Sequence, residues 1–333
     1  MVEIIPLSEK KKWDELIHSM LFFDFYHLNE YHRLDTTGES LLFHYKDAQI
    51  SIAFPLILRE IIGTEYYDVS SVYGYPGPLS DCAVFQPESI RSFQEELRSF
   101  FDSKRVVSAF SRLHPLFPAQ LGILSGLNKI EKSGFTVSID LLLPESSQRA
   151  AYSHSLSYDI RKAIKQGVVL RNAETDADIA SFASIYRETM ERVNARPYYF
   201  FPDEYFLHFV KTINSNILLA VYQDQIIAGT LYTEYNGIIQ IHLSATKTDF
   251  LKWSPTKYVW DQIREEGCRK KMQILHLGGG AHSREDGISY FKTLFSKRKS
   301  DFNTWRYIHN KEVYEQLVGE KSGDTSFFPL YRM

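Results

Sequence analysis

Three consecutive glycines near the C-terminal end of the chain mark its most informative segment. An apolar run at residues 273–277, typical of a buried strand, leads into Gly278, Gly279 and Gly280. Glycine permits positive φ and lets a backbone approach a ligand closely. Strand ends that open into glycines are where α/β proteins tend to place their sites. A plain strand-to-helix turn explains the same letters, and the segment is not a Walker phosphate-binding pattern.

A single lysine follows the glycines at a position that could carry chemistry. Lys292 lies between Phe291 and Phe295, which are four residues apart and predict a helix face that packs on a core. A lysine oriented in that way could neutralise a phosphate or stabilise an oxyanion. A surface lysine beside core aromatics is the alternative. Asp286 could position the glycine segment, or simply cap the helix.

His242 is the histidine that best fits a role near the glycines. It alternates with Gln240 and Ser244 along a predicted strand, so we expect the three side chains on one face. A histidine there could move a proton, although a buried, hydrogen-bonded structural histidine is more common.

A second group of candidates lies in the first half of the chain and just beyond it. Tyr73 and Tyr75 belong to a Gly- and Pro-rich segment that could stack on a sugar, a base or a peptide, or could be an ordinary turn. Asp68 precedes them and could meet an amine. Arg161 is four residues before Lys165 on a predicted helix, where it could bind a phosphate or belong to a solvated face.

The order of predicted elements indicates an α/β protein built from two related units. Each half offers helices, antiparallel strands with tight turns, and a further strand, which predicts a tandem duplication of mixed-sheet units with helices on both faces. Residues 144–148 are rich in polar letters and give the predicted boundary, between an N-terminal domain at 1–146 and a C-terminal domain at 147–333 that carries the glycine segment. No long coiled-coil arm is predicted.

Composition excludes several classes of function. The net charge of −3 among 333 residues argues against a broad nucleic-acid footprint and against DNA. Two distant cysteines and the absence of His/Asp/Glu metal spacing predict neither a disulfide framework nor a metal site. No signal peptide, membrane-spanning run or basic amphipathic surface is evident, so we expect a reducing cytoplasm. The oligomeric state is left open.

Four segments in the right order resemble the FemAB-like proteins. They are a Tyr-Gly-Tyr-x-Gly-Pro loop at 73–78, a helix and strand at 161–168 similar to Arg-Lys-x-Ile-x-Lys-Gly-Val, the Leu-Gly-Gly-Gly at 277–280 and the Phe-Lys-x-x-Phe at 291–295. The second differs from the family pattern by one residue. The family comprises peptidoglycan-bridge aminoacyl transferases and uncharacterised relatives. The resemblance implies two GNAT-like (acyl-CoA N-acyltransferase) domains and the transfer of an aminoacyl group from aminoacyl-tRNA to an amine of a peptidoglycan precursor.

A transferase of this kind gives each candidate residue a role. Donor and oxyanion contacts fall to Lys292 and the glycine amides, with Asp286 and His242 beside the donor. Acceptor contacts fall to Tyr73, Tyr75 and Arg161, and Asp68 is a candidate base. No cofactor is expected, because the acyl donor is a co-substrate.

The segment that follows the predicted strand of His242 bears on the identity of the donor. In CoA-dependent relatives a glycine-containing loop holds the pyrophosphate at a helix N-terminus. Residues 246–255 contain no glycine and end in a proline, which favours aminoacyl-tRNA over acyl-CoA. A CoA-dependent N-acyltransferase and a non-catalytic ligand-binding or scaffold protein with the same fold remain the alternatives.

Overall fold

The computed structural model describes residues 1–280, 287–319 and 327–333. The chain divides into two compact units. Unit 1 comprises Met1–Ser133 and Asp301–Met333, and unit 2 comprises Gly134–Ser300. The predicted boundary at 146 therefore differs from the observed divisions. The strand that precedes residue 146 pairs inside unit 2, and the C-terminal segment pairs inside unit 1.

The strands are numbered along the chain. They are β1 (Val2–Pro6), β2 (Glu39–Lys46), β3 (Ser51–Glu60), β4 (Tyr67–Ser70), β5 (Leu79–Ser80), β6 (Val106–Arg112), β7 (Lys129–Asp140), β8 (Val169–Asn172), β9 (Ser215–Tyr222), β10 (Gln225–Tyr235), β11 (Ile238–Thr246), β12 (Ile274–Gly279) and β13 (Lys299–Ile308).

The α-helices are numbered in the same way. They are α1 (Lys10–His18), α2 (Asn29–His32), α3 (Pro87–Ser103), α4 (Ala119–Leu124), α5 (Glu145–Ala150), α6 (His154–Lys165), α7 (Asp176–Arg192), α8 (Asp203–Thr212), α9 (Pro255–Arg269), α10 (Gly287–Thr293) and α11 (Lys311–Val318).

The two units share one strand arrangement. Among the described residues, unit 1 orders its strands β1-β2-β3-β4-β6-β13, with β5 also beside β3, and unit 2 orders them β8-β9-β10-β11-β12-β7. In unit 1 the pairs are antiparallel except β4 with β6. In unit 2 they are antiparallel except β11 with β12. The repeat of element order that the sequence predicts is therefore present, and it extends to the single parallel pair.

Helices cover both faces of the unit 2 sheet. Successive residues of a strand point to opposite faces. On β10, the Thr230 hydroxyl accepts a hydrogen bond from the Trp260 indole of α9 at 3.1 Å. The preceding residue of β10, Gly229, points to the opposite face. A Cβ built on Gly229 would lie 2.8 Å from the Phe182 ring of α7. The predicted layering, with helices on both faces, is thus confirmed for this unit.

The residues of α3 show why this helix forms and how it joins the core of unit 1. Pro87 occupies the first turn, where a missing N–H leaves no bond unmade. Phe93, Leu97 and Phe101 follow at helical spacing and are buried. They pack in one cluster with Trp305 of β13.

Candidate functional site

The parallel strands β11 and β12 diverge at their carboxyl ends. In the described residues their pairing covers Ile238–Gln240 against Ile274–His276 and then stops. Both strands nevertheless continue, β11 to Thr246 and β12 to Gly279. Beyond the divergence β12 pairs with β7 and β11 pairs with β10 on their outer edges. Parallel strands that part at their carboxyl ends form a crevice of the kind in which α/β proteins bind ligands.

A β-bulge places His242 at the opening of this gap. The register of β10 with β11 runs from Leu231↔Leu243 to Tyr232↔Ile241, so His242 has no opposite residue. A bulge bends a strand and re-aims its backbone, and bulges are frequent beside active sites. The extra residue also breaks the alternation that the sequence implied. Gln240, His242 and Ser244 therefore do not share one face as predicted.

The contacts of His242 and Ser244 show the effect of the bulge. The His242 ring stacks on Phe209 of α8 at 4.9 Å, and its Nε2 lies 2.6 Å from the Tyr205 hydroxyl. Ser244 instead accepts a hydrogen bond from the Trp260 indole of α9 at 3.1 Å. Burial lowers the pKa of His242 to about 3, so the imidazole is neutral at physiological pH. Such a weak base is a poor proton shuttle.

The glycine segment forms the other side of the gap. Gly278 and Gly279 are the last residues of β12 rather than part of a loop, as the sequence suggested. The register against β7 shifts between His276 and Gly278, and Gly278 has φ of +77°. A positive φ explains why glycine is required at this second bulge. Gly280 follows the strand and is partly exposed.

Lys292 is held against the end of β12. Its Nζ donates a hydrogen bond to the Gly279 carbonyl oxygen at 2.6 Å. The side chain reaches this position because Phe291 and Phe295 anchor the helix, with ring centroids 5.7 Å apart and both rings near Trp260. The predicted packing of the two phenylalanines is confirmed, and it brings an ammonium group to the glycine segment. Asp286 lies outside the described residues.

The segment that follows β11 forms hydrogen bonds between its own amides and carbonyls. Thr248–Trp253 is a 3₁₀ helix, and Ser254 adopts a left-handed conformation with φ of +52° before α9 begins. The amides of Phe250 and Ser254 bond to the Lys247 and Leu251 carbonyls, each at 3.0 Å, and the Lys257 amide bonds to Ser254, also at 3.0 Å. Pro255 has no N–H to offer. These amides are therefore already engaged within the segment.

The candidates of unit 1 have structural partners. The Asp68 carboxylate is fully buried and accepts hydrogen bonds from Arg59 at 2.7 Å and from Arg332 at 2.8 Å. A carboxylate held between two guanidinium groups favours a structural role over that of a base. The Tyr73 carbonyl accepts a bond from the Tyr31 hydroxyl at 2.8 Å.

Tyr75 packs within an aromatic cluster of unit 1. Its ring lies 5.4 Å from Tyr26, 5.8 Å from His114 and 5.5 Å from Phe302. The position of the ring is therefore fixed by its neighbours. Arg161, the remaining acceptor candidate, is exposed on α6 of unit 2.

A buried polar cluster behind the 73–78 loop was not anticipated from the sequence. His27 Nε2 donates to the Gly77 carbonyl at 3.1 Å, while its Nδ1 accepts from the Asp24 amide. His114 Nδ1 accepts from the Leu116 amide, so its Nε2 carries the proton that it donates to Asp24 at 3.2 Å. Asp24 and His114 are 90 residues apart, and no local pattern links them. The cluster fixes the loop that carries Tyr73 and Tyr75.

This cluster predicts an unusual pH dependence of stability. Burial lowers the pKa of His27 to about 4 and that of His114 to about 3, from 6.5, and it lowers the pKa of His32, a buried histidine bonded to the Tyr26 carbonyl, to about 3. Their contribution to stability is complete above about pH 6.5 and is lost as the pH falls through those values. Burial raises the Asp24 pKa from 3.8 to about 6, so its contribution runs the other way and is lost as the pH rises through 6.

Asp24→Asn should therefore make the acid loss of stability steeper. Asparagine keeps an oxygen for the Phe25 amide, which Asp24 accepts at 2.7 Å, but it cannot take up a proton. The asparagine amide nitrogen meets the His114 Nε2 proton that Asp24 accepts, so the variant should be less stable than the parent near pH 4. It should regain stability relative to the parent as the pH rises through 6, because only the parent then buries a charged carboxylate. Denaturant unfolding of both proteins at several pH values measures this, and parallel profiles would refute it.

The described residues show neither a membrane-spanning helix nor a metal-ligand cluster. No described helix is both long and apolar enough to cross a bilayer. No group of three or more His, Cys, Asp or Glu side chains in the described residues is placed to hold a metal ion.

Comparison with known proteins supports the fold. No protein-family model and no curated protein sequence matches the chain. Among solved structures, one described as FemX matches with a TM-score of 0.70 at 12% identity over 94% of this chain and 99% of that one. L-PGS from Bacillus licheniformis matches at 0.61, with 12% identity over 93% and 95%. A conserved protein of unknown function from Bacteroides thetaiotaomicron also matches at 0.61, with 10% identity over 92% and 100%.

These likenesses confirm the fold implied by the resemblance to FemAB-like proteins. At 10–12% identity they concern the fold alone.

Proposed function

We propose that the chain is an acyltransferase that passes an aminoacyl group from an ester donor to an amine. The observation that carries this proposal is the divergence of β11 and β12 beside a lysine-held glycine segment. A gap between parallel strands, with one ammonium group fixed at its glycine edge, suits a carbonyl compound that must be aligned and polarised.

The reaction requires little from the protein beyond alignment and charge stabilisation. An uncharged amine attacks the ester carbonyl, a C–N bond forms, and the carbonyl oxygen carries the negative charge of the tetrahedral intermediate. The C–O bond then breaks, and the proton lost by the amine ends on the departing hydroxyl. No covalent enzyme intermediate is needed, which is consistent with a neutral, weakly basic His242 and an Asp68 already occupied by two arginines.

Lys292 and the backbone around residues 278–280 are the groups we assign to the donor. The Lys292 ammonium lies 2.6 Å from the Gly279 oxygen and cannot swing away without losing that bond. A fixed positive charge stabilises a developing oxyanion, or a donor phosphate, better than a mobile one because no reorganisation is needed. His242 contributes through its bulged backbone position rather than through its ring.

The internally hydrogen-bonded segment after β11 supports aminoacyl-tRNA over acyl-CoA as the donor. A CoA pyrophosphate needs free amides at the start of the helix that follows the strand. Here the amides of Ser254 and Lys257 bond within the segment, and Pro255 has none. An ester at the 3′ end of a tRNA does not depend on those amides.

The acceptor in this proposal is an amine of a peptidoglycan precursor, as the FemAB-like resemblance implies. Tyr73 and Tyr75, on a loop fixed from behind by His27, offer flat and amphipathic surfaces of the type that bind sugars and peptides. Arg161 offers an exposed guanidinium for a phosphate or carboxylate.

Equilibrium binding of three ligands tests the assignment. An amide-linked analogue of aminoacyl-tRNA should bind about tenfold more tightly than uncharged tRNA, because the aminoacyl group adds contacts in the gap. Acetyl-CoA should not saturate at comparable concentrations. Saturable acetyl-CoA binding, together with equal affinity for charged and uncharged tRNA, would move the protein to the CoA-dependent class.

A further inference from the structure

A mixed basic and apolar surface lies on the outside of unit 2, away from the groups assigned to the reaction except Arg161. We define it as the α6 patch. Its members are Tyr158, Arg161, Ile164, Lys165, Leu251 and Lys252. We propose that the α6 patch docks on the surface of a bilayer containing anionic lipids.

The apolar members of the α6 patch are unusually exposed for their type. Tyr158 is 61% exposed, Ile164 50% and Leu251 44%. Single exposed apolar residues are ordinary, but here three flank one helix face and the segment beside it. Burial of such side chains at the boundary between lipid headgroups and acyl chains is favourable, because it removes apolar surface from water.

The cationic members of the α6 patch are available to a partner. Arg161, Lys165 and Lys252 are exposed, and the structure gives none of them an ion pair with any described residue. On α6 the acidic Asp159 is already neutralised by Lys257 at 2.5 Å.

Other charges face the same area. Asp249 is an exposed acid of the adjoining segment, and Glu188 of α7 accepts hydrogen bonds from Thr248. Lys162 and Lys247 add two partly exposed cations. Positive charge therefore exceeds negative charge, although the whole chain has a net charge of −3.

The two elements of the α6 patch are fixed to one another. Lys162 of α6 donates a hydrogen bond from its Nζ to the Lys252 carbonyl at 2.8 Å. Below the surface, Ile160 and Ala163 belong to the same core cluster on which Phe250 and Trp253 pack. The patch is thus a preformed surface, and it was invisible in the sequence because its two halves are about 90 residues apart.

The composition of the surface favours a bilayer over an RNA. A nucleic acid binds cations through its phosphates and aromatic rings through its bases. Exposed aliphatic side chains contribute to neither interaction. Ile164 is adjacent to Lys165 on α6 and Leu251 is adjacent to Lys252, and this combination of exposed aliphatic and basic groups matches an anionic lipid interface. Docking of this kind does not depend on the transfer reaction.

Co-sedimentation of the full chain with vesicles tests the proposal. At low salt the protein should sediment with phosphatidylcholine vesicles that contain phosphatidylglycerol and not with phosphatidylcholine alone, and added salt should weaken the binding. The triple variant Arg161→Ala/Lys165→Ala/Lys252→Ala should bind about 100-fold more weakly, since each surface cation contributes roughly fivefold near an anionic membrane. Ile164→Ser/Leu251→Ser should weaken binding at constant charge.

A charge-matched control separates the patch from net charge. Lys11, Lys104 and Lys311 are exposed cations of unit 1, and their triple replacement by alanine changes the net charge equally. That control should bind vesicles like the parent protein. Equal weakening in both triple variants, or absence of vesicle binding by the parent, would overturn the proposal. RNA binding that depends on the α6 patch in the absence of vesicle binding would overturn it in favour of a nucleic-acid surface.

Discussion

Lys292→Ala is expected to lower the rate constant of aminoacyl transfer by about 10²- to 10³-fold, the loss typical of removing one preorganised oxyanion-stabilising group. The lysine is partly exposed and its removal leaves no cavity, so the fold should persist. Enzyme-dependent transfer to a small amine such as hydroxylamine, measured above the uncatalysed background, gives the rate without knowledge of the natural acceptor.

Two further variants test whether the effect is specific to Lys292 and whether it depends on its charge. Lys297 is five residues along the chain, is exposed, and donates to the Thr293 carbonyl at 3.0 Å, so Lys297→Ala is a matched control that should leave the rate unchanged. Lys292→Gln keeps a donor for the Gly279 oxygen but lacks the charge. It should be as slow as Lys292→Ala, and a rate near that of the parent would assign Lys292 a merely structural role.

Gly74→Ala is expected to destabilise the protein by about 3 kcal/mol or more and to disturb the loop that carries Tyr73 and Tyr75. Gly74 has φ of +113°, and a Cβ built there would lie 2.0 Å from the Tyr26 ring. Tyr26 cannot move aside easily, because it is buried and packs against Phe25 and Tyr31. Backbone strain and overpacking therefore add together.

Gly63→Ala is the matched control for this effect. Gly63 has a similar positive φ of +80°, but nothing lies within 4 Å of a Cβ built there. It should cost about 1 kcal/mol, the strain term alone. Denaturant unfolding of both variants measures the difference. Equal losses of stability in the two variants would show that the Tyr26 ring moves aside, and that its packing does not fix the 73–78 loop.

The regular elements of the chain could be predicted because their causes are local. The helix Pro87–Ser103 has such local causes, since proline begins it and its apolar residues recur at helical spacing. The meander of unit 2 follows from tight turns such as the one at Asn236 and Gly237, both of which have positive φ.

The geometry of the site could not be predicted in the same way. The bulge at His242 depends on how β10 and β11 register, and the bulge before Gly278 depends on β7. The guanidinium of Arg332 that reaches Asp68 comes from 264 residues away. Sequence letters identify candidate groups, but strand register decides where they point, and distant ion pairs decide which carboxylates are free.

The boundary between the units illustrates the same limit. A polar segment at 144–148 is typical of a linker, yet residues 145–150 form α5, whose Gln148 accepts a hydrogen bond from the buried Arg264 at 3.1 Å. Polar residues occur in buried hydrogen-bond networks as well as in solvated loops, so a polar sequence alone does not identify a linker.

Cross-linking from the acyl group of the donor tests the central claim most directly. An amide-linked tRNA analogue that carries a photoreactive amino acid would be irradiated with the full chain, and the modified peptides would be mapped by mass spectrometry. If the acyl group lies between the diverging strands, the label should fall within residues 240–246 and 276–280. Labelling confined to the 73–78 loop or elsewhere in unit 1 would contradict the assignment of the donor to unit 2.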